Sequence, residues 1–270
     1  MERVTIPALR EMKRNGRKIA GVVAWDFHVA QIADRAGVEI VSVGDSIGVN
    51  LWGRSDPSEI TLDEMIIVCK AVSRGASRAI VSCDLPPDTI RAGIDVTVEN
   101  AVRLVREGGA KMVKLDGATE LPAAVTAIAR SGISVFAQFE AAAGKTVEQL
   151  VNDAKRLEAA GATLLDFKHS GPLAGAAVAR AVSIPVIGGI GGGPWLDGRV
   201  RLVHAAIGYA AAALDSDVDS YANVARITLD ALKAYTNDVH EGRQIKGGVR
   251  ICQSQCGTYW HREPCWLSRF

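Results

Sequence analysis

Eight short apolar runs, most of them followed by a stretch with helical spacing, constrain this chain more than any other feature. The runs are Ile19–Trp25, Ile40–Asp45, Ala79–Asp84, Met112–Gly117, Ser134–Phe139, Thr163–His169, Pro185–Gly192 and Val200–Ala205. Several are almost continuously apolar, the pattern of parallel strands buried on both faces. Two intervening helices announce their own starts. Thr61 with Glu64, and Thr146 with Gln149, have capping-box spacing, and Gly75 and Gly161 follow as stops. A last long helix is expected from Asp217 to His240. Repeated strand–helix units fit either an open doubly wound sheet or a closed barrel; eight units in 270 residues favour the barrel. The fold expected is α/β, one (β/α)₈ barrel over residues 1–245 with a C-terminal helix, and a short tail over residues 246–270.

Charge and composition narrow the function. Basic and acidic residues nearly balance, 31 against 30, so nothing calls for nucleic acid or a membrane surface. No apolar stretch approaches the ~18–20 residues that span a bilayer. The first residues carry charges without an apolar run behind them, unlike a secretory signal. Cys69 and Cys83 sit in apolar patterns as small core residues, and a reducing cytoplasm is the compartment expected.

The acids are placed informatively. Asp45, Asp84, Asp116 and Asp166 each end, or nearly end, an apolar run. The C-terminal strand ends of a barrel converge on one mouth, where active sites lie. One such Asp is most simply a helix N-cap; four on different strands, with Lys114 two residues before Asp116, point to a site. Clustered carboxylates repel and are costly to bury without a cation. Oxygen ligands select a hard ion, Mg²⁺ before Ca²⁺, so Asp45, Asp84 and Asp116 are read as metal ligands. In the turn Gly44–Gly48, Ser46 offers a hydroxyl to a carboxylate beside that metal; an ordinary turn is the alternative.

These residues lie in stretches that resemble a known family. IVSVGDSIGVNLWG, TLDEMIIVCKAVSRG, VSCDLP, NAVRLVREGGAKMVKLDG and SIPVIGGIGGGPWLDGRV are similar to ketopantoate hydroxymethyltransferases (3-methyl-2-oxobutanoate hydroxymethyltransferases), in order from about residue 5 to about residue 242. The resemblance implies a metal-dependent barrel of the phosphoenolpyruvate mutase and isocitrate lyase superfamily, working as a homo-oligomer. It implies hydroxymethyl transfer from 5,10-methylenetetrahydrofolate to 2-oxoisovalerate, toward pantothenate. It implies metal binding by Asp45 and Asp84, with Asp84 also beside the substrate, and 2-oxo acid binding by Ser46 and Lys114. Asp116 and Asp166 stand where the family has glutamates, Trp25 where it has a tyrosine, and Gln138 where it has a histidine. Trp25 and Gln138 are therefore expected at the substrate, and Asp166 as the base. Gln138 cannot carry a proton, so His169 is a second acid–base candidate. Two alternatives stay open: a metal-dependent C–C lyase or aldolase of the same superfamily, and a catalytically inactive paralogue.

The tail carries Cys252, Cys256, His261 and Cys265 at close to zinc-knuckle spacing. A Zn²⁺ site is one reading; aromatic residues packing on the barrel is the other, and the family resemblance gives zinc no support.

Overall fold

The computed structural model describes residues 2–215 and 219–246. Cys252, Cys256, His261 and Cys265, and with them the expected zinc set, lie outside the described residues. Eight parallel strands close into a barrel in sequence order: β1 (Ile19–Val23), β2 (Ile40–Val43), β3 (Ile80–Asp84), β4 (Met112–Leu115), β5 (Ser134–Glu140), β6 (Leu164–Lys168), β7 (Val186–Gly188) and β8 (Gly198–Leu202). β8 returns to pair with β1, so no sheet edge is left open.

The longer helices are α1 (Ile6–Arg14), α2 (Phe27–Ala36), α3 (Leu62–Gly75), α4 (Ile94–Arg106), α5 (Pro122–Arg130), α6 (Val147–Ala159), α7 (Pro172–Ala181) and α8 (Val224–His240). Both expected capping boxes form. Glu64 N–H donates to Thr61 Oγ1 at 3.3 Å while Thr61 N–H donates to Glu64 Oε2 at 2.9 Å. Thr146 and Gln149 exchange the same pair at 3.2 and 2.8 Å.

Strand alternation sorts the side chains into two cores. One set of positions packs against the helices. The other fills the barrel in layers. At its base Ile19, Ile40, Ile80, Met112, Phe136, Leu164, Ile187 and Val200 form an apolar plug, closed from below by Leu9 and Met12 of α1. Two residues up the strands the layer turns polar: Ser82 donates to Ser42 Oγ at 2.7 Å. Above it come the charged groups. An apolar base under a polar mouth is how a barrel fixes its reactive end.

Three expectations are corrected. The last strand begins at Gly198, and the chain turns helical at Val203, so Val200–Ala205 straddles a boundary. The last helix begins at Val224, where Asn223 caps it by accepting from Arg226 N–H at 2.9 Å, and not at Asp217. Gly75 is the last residue of α3 and no left-handed stop. A Cβ there would lie 2.4 Å from the Phe27 carbonyl oxygen and 2.9 Å from Ala30 Cβ, so this glycine lets α3 meet α2 backbone to side chain. Gly75→Ala is expected to destabilise by about 1–3 kcal/mol, because backbone must move to admit the methyl. A lower urea midpoint at unchanged slope reads this out; an unchanged midpoint refutes it.

Candidate active site

The C-terminal strand ends open into a cavity of about 380 Å³. Its wall includes Asp45, Ser46, Asp84, Lys114, Asp116, Gln138, Asp166 and Lys168. The closed barrel brings these residues together by setting neighbouring strands in register. Asp84 on β3 is level with Lys114 on β4, and Gln138 on β5 with Asp166 on β6. None of the four aspartates serves as a helix N-cap, which removes the simplest alternative for them.

Lys114 is the centre. It is 8% exposed, and its Nζ donates to Asp84 Oδ2 at 3.0 Å and to Asp116 Oδ1 at 2.5 Å. Burial alone would pull this ammonium down, but Asp84, Asp116 and Asp166 outweigh it and hold it well above its ordinary value. Lys114 is thus a fixed cation. Lys168 Nζ stands 3.9 Å from Asp116 Oδ2.

The carboxylates divide by partner. Burial raises Asp84 to about 7, with the charges of Asp116 and Asp45 adding to Lys114's incomplete compensation. Its Oδ1 is buried with no hydrogen-bond partner. Asp45 is also raised, mainly by burial, against the pull of Lys114. Burial pushes Asp116 up as well, but Lys114, Lys168 and the Gln138 amide reverse the sign and leave it below its usual range. Asp166 is raised by burial, although Lys114 and the Gly189 N–H, which donates to its Oδ1 at 3.1 Å, act against this.

A three-carboxylate cage on Asp45, Asp84 and Asp116 was the expectation. Among the described residues, no three His, Cys, Asp or Glu side chains are grouped to hold a metal ion. The Lys114 ammonium stands between Asp84 and Asp116 and pairs with both. The donor chemistry still suits a hard ion. Four carboxylates line the cavity, and Asp84 Oδ1, buried and unpartnered, is a hard oxygen donor that a cation would satisfy.

Ser46 reaches the cavity, and its side chain makes no cap bond to the short helix Ile47–Asn50, so the hydroxyl remains for a ligand. Gln138 reaches it too. Trp25 and His169 do not line it. Trp25 is buried against His204, ring centroids 5.0 Å apart, on the wall of a neighbouring cavity. His169 has φ 52°, and its N–H donates to the Ile190 carbonyl at 2.8 Å. It anchors the loop after β7, where a β-carbon on Gly191 would come within 2.9–3.0 Å of it. Sequence reasoning passed over Lys168, although it stands two residues beyond Asp166 on the same face of β6.

A sequence model of the ketopantoate hydroxymethyltransferase family matches residues 3–244. The chain belongs to the ketopantoate hydroxymethyltransferase family. Its similarity to individual members of that transferase family is spread over the whole length. The 3-methyl-2-oxobutanoate hydroxymethyltransferase of Thermoanaerobacter sp. is 34% identical over 89% of this chain and 93% of its own. That of Geobacillus kaustophilus is 34% identical over 96% of this chain and 95% of its own. Solved structures share the barrel at lower identity. A 2,3-dimethylmalate lyase described as a PEP mutase/isocitrate lyase superfamily member superposes with TM-score 0.61 at 17% identity, over 88% of this chain and 99% of its own. An oxaloacetate acetylhydrolase superposes with TM-score 0.61 at 14% identity, over 90% and 99%. No helix among the described residues is long and apolar enough to cross a membrane.

Proposed function

We propose that this hydroxymethyltransferase is Mg²⁺-dependent and adds a one-carbon unit from 5,10-methylenetetrahydrofolate to the enolate of a 2-oxo acid. The names of its relatives make 3-methyl-2-oxobutanoate, or a close analogue, the acceptor proposed, on the route to pantothenate. The observation that carries the reading is the Lys114 ammonium buried among Asp84, Asp116 and Asp166 at the barrel mouth, with Asp84 Oδ1 unpartnered. Asp45 and Asp84 would hold the ion, while Asp116 stays on Lys114. When bound, the ion supplies Lewis-acid pull on the carboxylate and keto oxygens of the substrate.

The protein's own groups account for the rest. Lys114 is charged at every working pH, so it neutralises the substrate carboxylate and the oxyanion that develops beside it. Ser46 Oγ donates a hydrogen bond to the carboxylate. Asp166 takes the C3 proton: its carboxylate faces the cavity, and burial strengthens it as a base over a solvated aspartate. Gln138 moves no proton; its amide donates to Asp116 and keeps that carboxylate turned toward Lys114. The same family reading gives a homo-oligomer in the cytoplasm with a small 2-oxo acid as its ligand, and neither nucleic acid nor membrane as partner.

The test is proton exchange. The protein, Mg²⁺ and a panel of 2-oxo acids are incubated in D₂O, and loss of the C3 proton is followed by NMR. Exchange without folate, dependent on Mg²⁺ and abolished in Asp166→Asn, is expected. No exchange with any acceptor would overturn the transferase reading and favour carbon–carbon cleavage or an inactive paralogue.

A further inference from the structure

The end of the barrel opposite the active mouth holds a further cavity, of about 460 Å³. Three cations, Arg3, Arg78 and Lys111, and three hydroxyls, Thr5, Ser73 and Ser77, stand on its wall, and no Asp or Glu lines it. The cations come from three distant segments. Arg3 leads into α1, Arg78 leads into β3, and Lys111 immediately precedes β4. Backbone bonds hold these segments together: Val4 N–H donates to the Arg78 carbonyl at 2.9 Å, and Lys111 N–H to the Val81 carbonyl at 2.8 Å. The fold, not a basic run of sequence, assembles the cluster. Nor is it a sample of a basic surface, since the whole chain carries a net charge of only +1.

None of the three cations forms an ion pair among the described residues. Arg3 Nε donates to the Ser77 carbonyl at 3.2 Å and Arg78 Nη2 to the Val38 carbonyl. Arg78 Nε is buried without any partner. The carboxylate attached to this segment, Asp34, is already saturated: it accepts from Ser77 N–H and Oγ and from the N–H groups of Arg78 and Ala79. Three like charges around one concavity repel one another, and an anion between them relieves that cost. α1 begins at this wall and adds the positive end of its dipole.

We propose that this cavity binds a compact, multiply charged oxyanion of the phosphate ester or diphosphate class. Guanidinium groups suit such oxygens by their forked donors, and the volume lies within the range of small-ligand sites. The site is separate from the reaction chemistry and does not depend on which 2-oxo acid is used.

The probe is inorganic pyrophosphate, titrated calorimetrically into the full chain. Binding that weakens as salt rises is expected. Lys111→Gln and Arg3→Gln, both at exposed side chains and each checked for an unchanged circular dichroism spectrum, are each expected to weaken it about tenfold, one charge-assisted contact apiece. Binding unchanged in both variants would place pyrophosphate elsewhere and overturn the site. Absence of binding to the unaltered protein would overturn it equally.

Discussion

Lys114→Met is expected to destabilise the protein by about 3–5 kcal/mol, the usual cost of removing one partner from a buried charge pair. The side chain is buried, and two carboxylates depend on it directly at 3.0 and 2.5 Å. Methionine replaces the volume but leaves Asp84 and Asp116 facing Asp45 and Asp166 without the ammonium that pairs with both. The loss should depend on pH, and its sign follows from the carboxylates. With the ammonium gone Asp84, Asp45 and Asp166 climb further above the ordinary aspartate range, and Asp116 loses the main cation that holds it down. The folded state then binds more protons than the unfolded one between about pH 4 and the raised values, so stability falls as pH rises through that window. The variant should therefore approach the unaltered protein near pH 4 and show its full deficit above pH 7. Exchange of the C3 proton should drop by about 10²–10³-fold or more, as for loss of one preorganised charge at a developing oxyanion. Urea midpoints measured from acid to neutral pH decide it; a deficit independent of pH would mean that Lys114 only fills space.

The strands and their order were legible because apolar runs of strand length bounded by Gly and Asp repeat along the chain. The site was legible where a charged residue closes such a run, as Asp45, Asp84 and Asp116 do. Asp166 became visible by the same rule but belongs to a different one. It lies in the middle of β6 and faces the cavity by alternation, and the same alternation carries Lys168 there. His169, three residues past Asp166, falls out of that phase and does not line the cavity. Trp25 lies beyond the end of β1, where the chain has already turned into the segment capped by Asp26, whose Oδ1 accepts from Val29 N–H at 2.8 Å. The connection from β7 to β8 was illegible for another reason. No helix covers it; the Trp195 indole packs there instead, and Nε1 donates to Ser170 Oγ at 2.9 Å. A Cβ on Gly175 would lie 2.2 Å from that ring, so the contact needs two residues twenty positions apart to be right together. The position of Lys114 between Asp84 and Asp116 is likewise a product of register, which no single run of sequence displays.

Asp84→Asn separates the structural from the chemical meaning of that cluster. In the ion-free protein Asp84 is raised to about 7 by burial and by its acidic neighbours, and its Oδ1 has no donor. Asparagine keeps the shape, still accepts from Lys114, and offers an NH₂ that Asp45 or Asp116 can accept. The variant is thus expected to be more stable than the unaltered protein above pH 7, by on the order of 1–3 kcal/mol, the cost of a poorly compensated buried polar group. The sign is opposite to that of a salt-bridged aspartate. A raised carboxyl costs nothing below its unfolded pKa and its full penalty only above its folded one, so the gain should vanish toward pH 4. Added Mg²⁺ should reverse the ranking. An ion that binds only the folded state at a hundred times its dissociation constant stabilises by about 2.7 kcal/mol, and the variant, having lost a charged ligand, should gain little of this. Proton exchange at C3 should fall with it. Thermal melts of both proteins, with and without Mg²⁺ at pH 5 and pH 8, make four comparisons from one substitution. Full Mg²⁺ stabilisation retained in Asp84→Asn would show that the ion is held elsewhere, and the assignment of Asp84 as a ligand would fall.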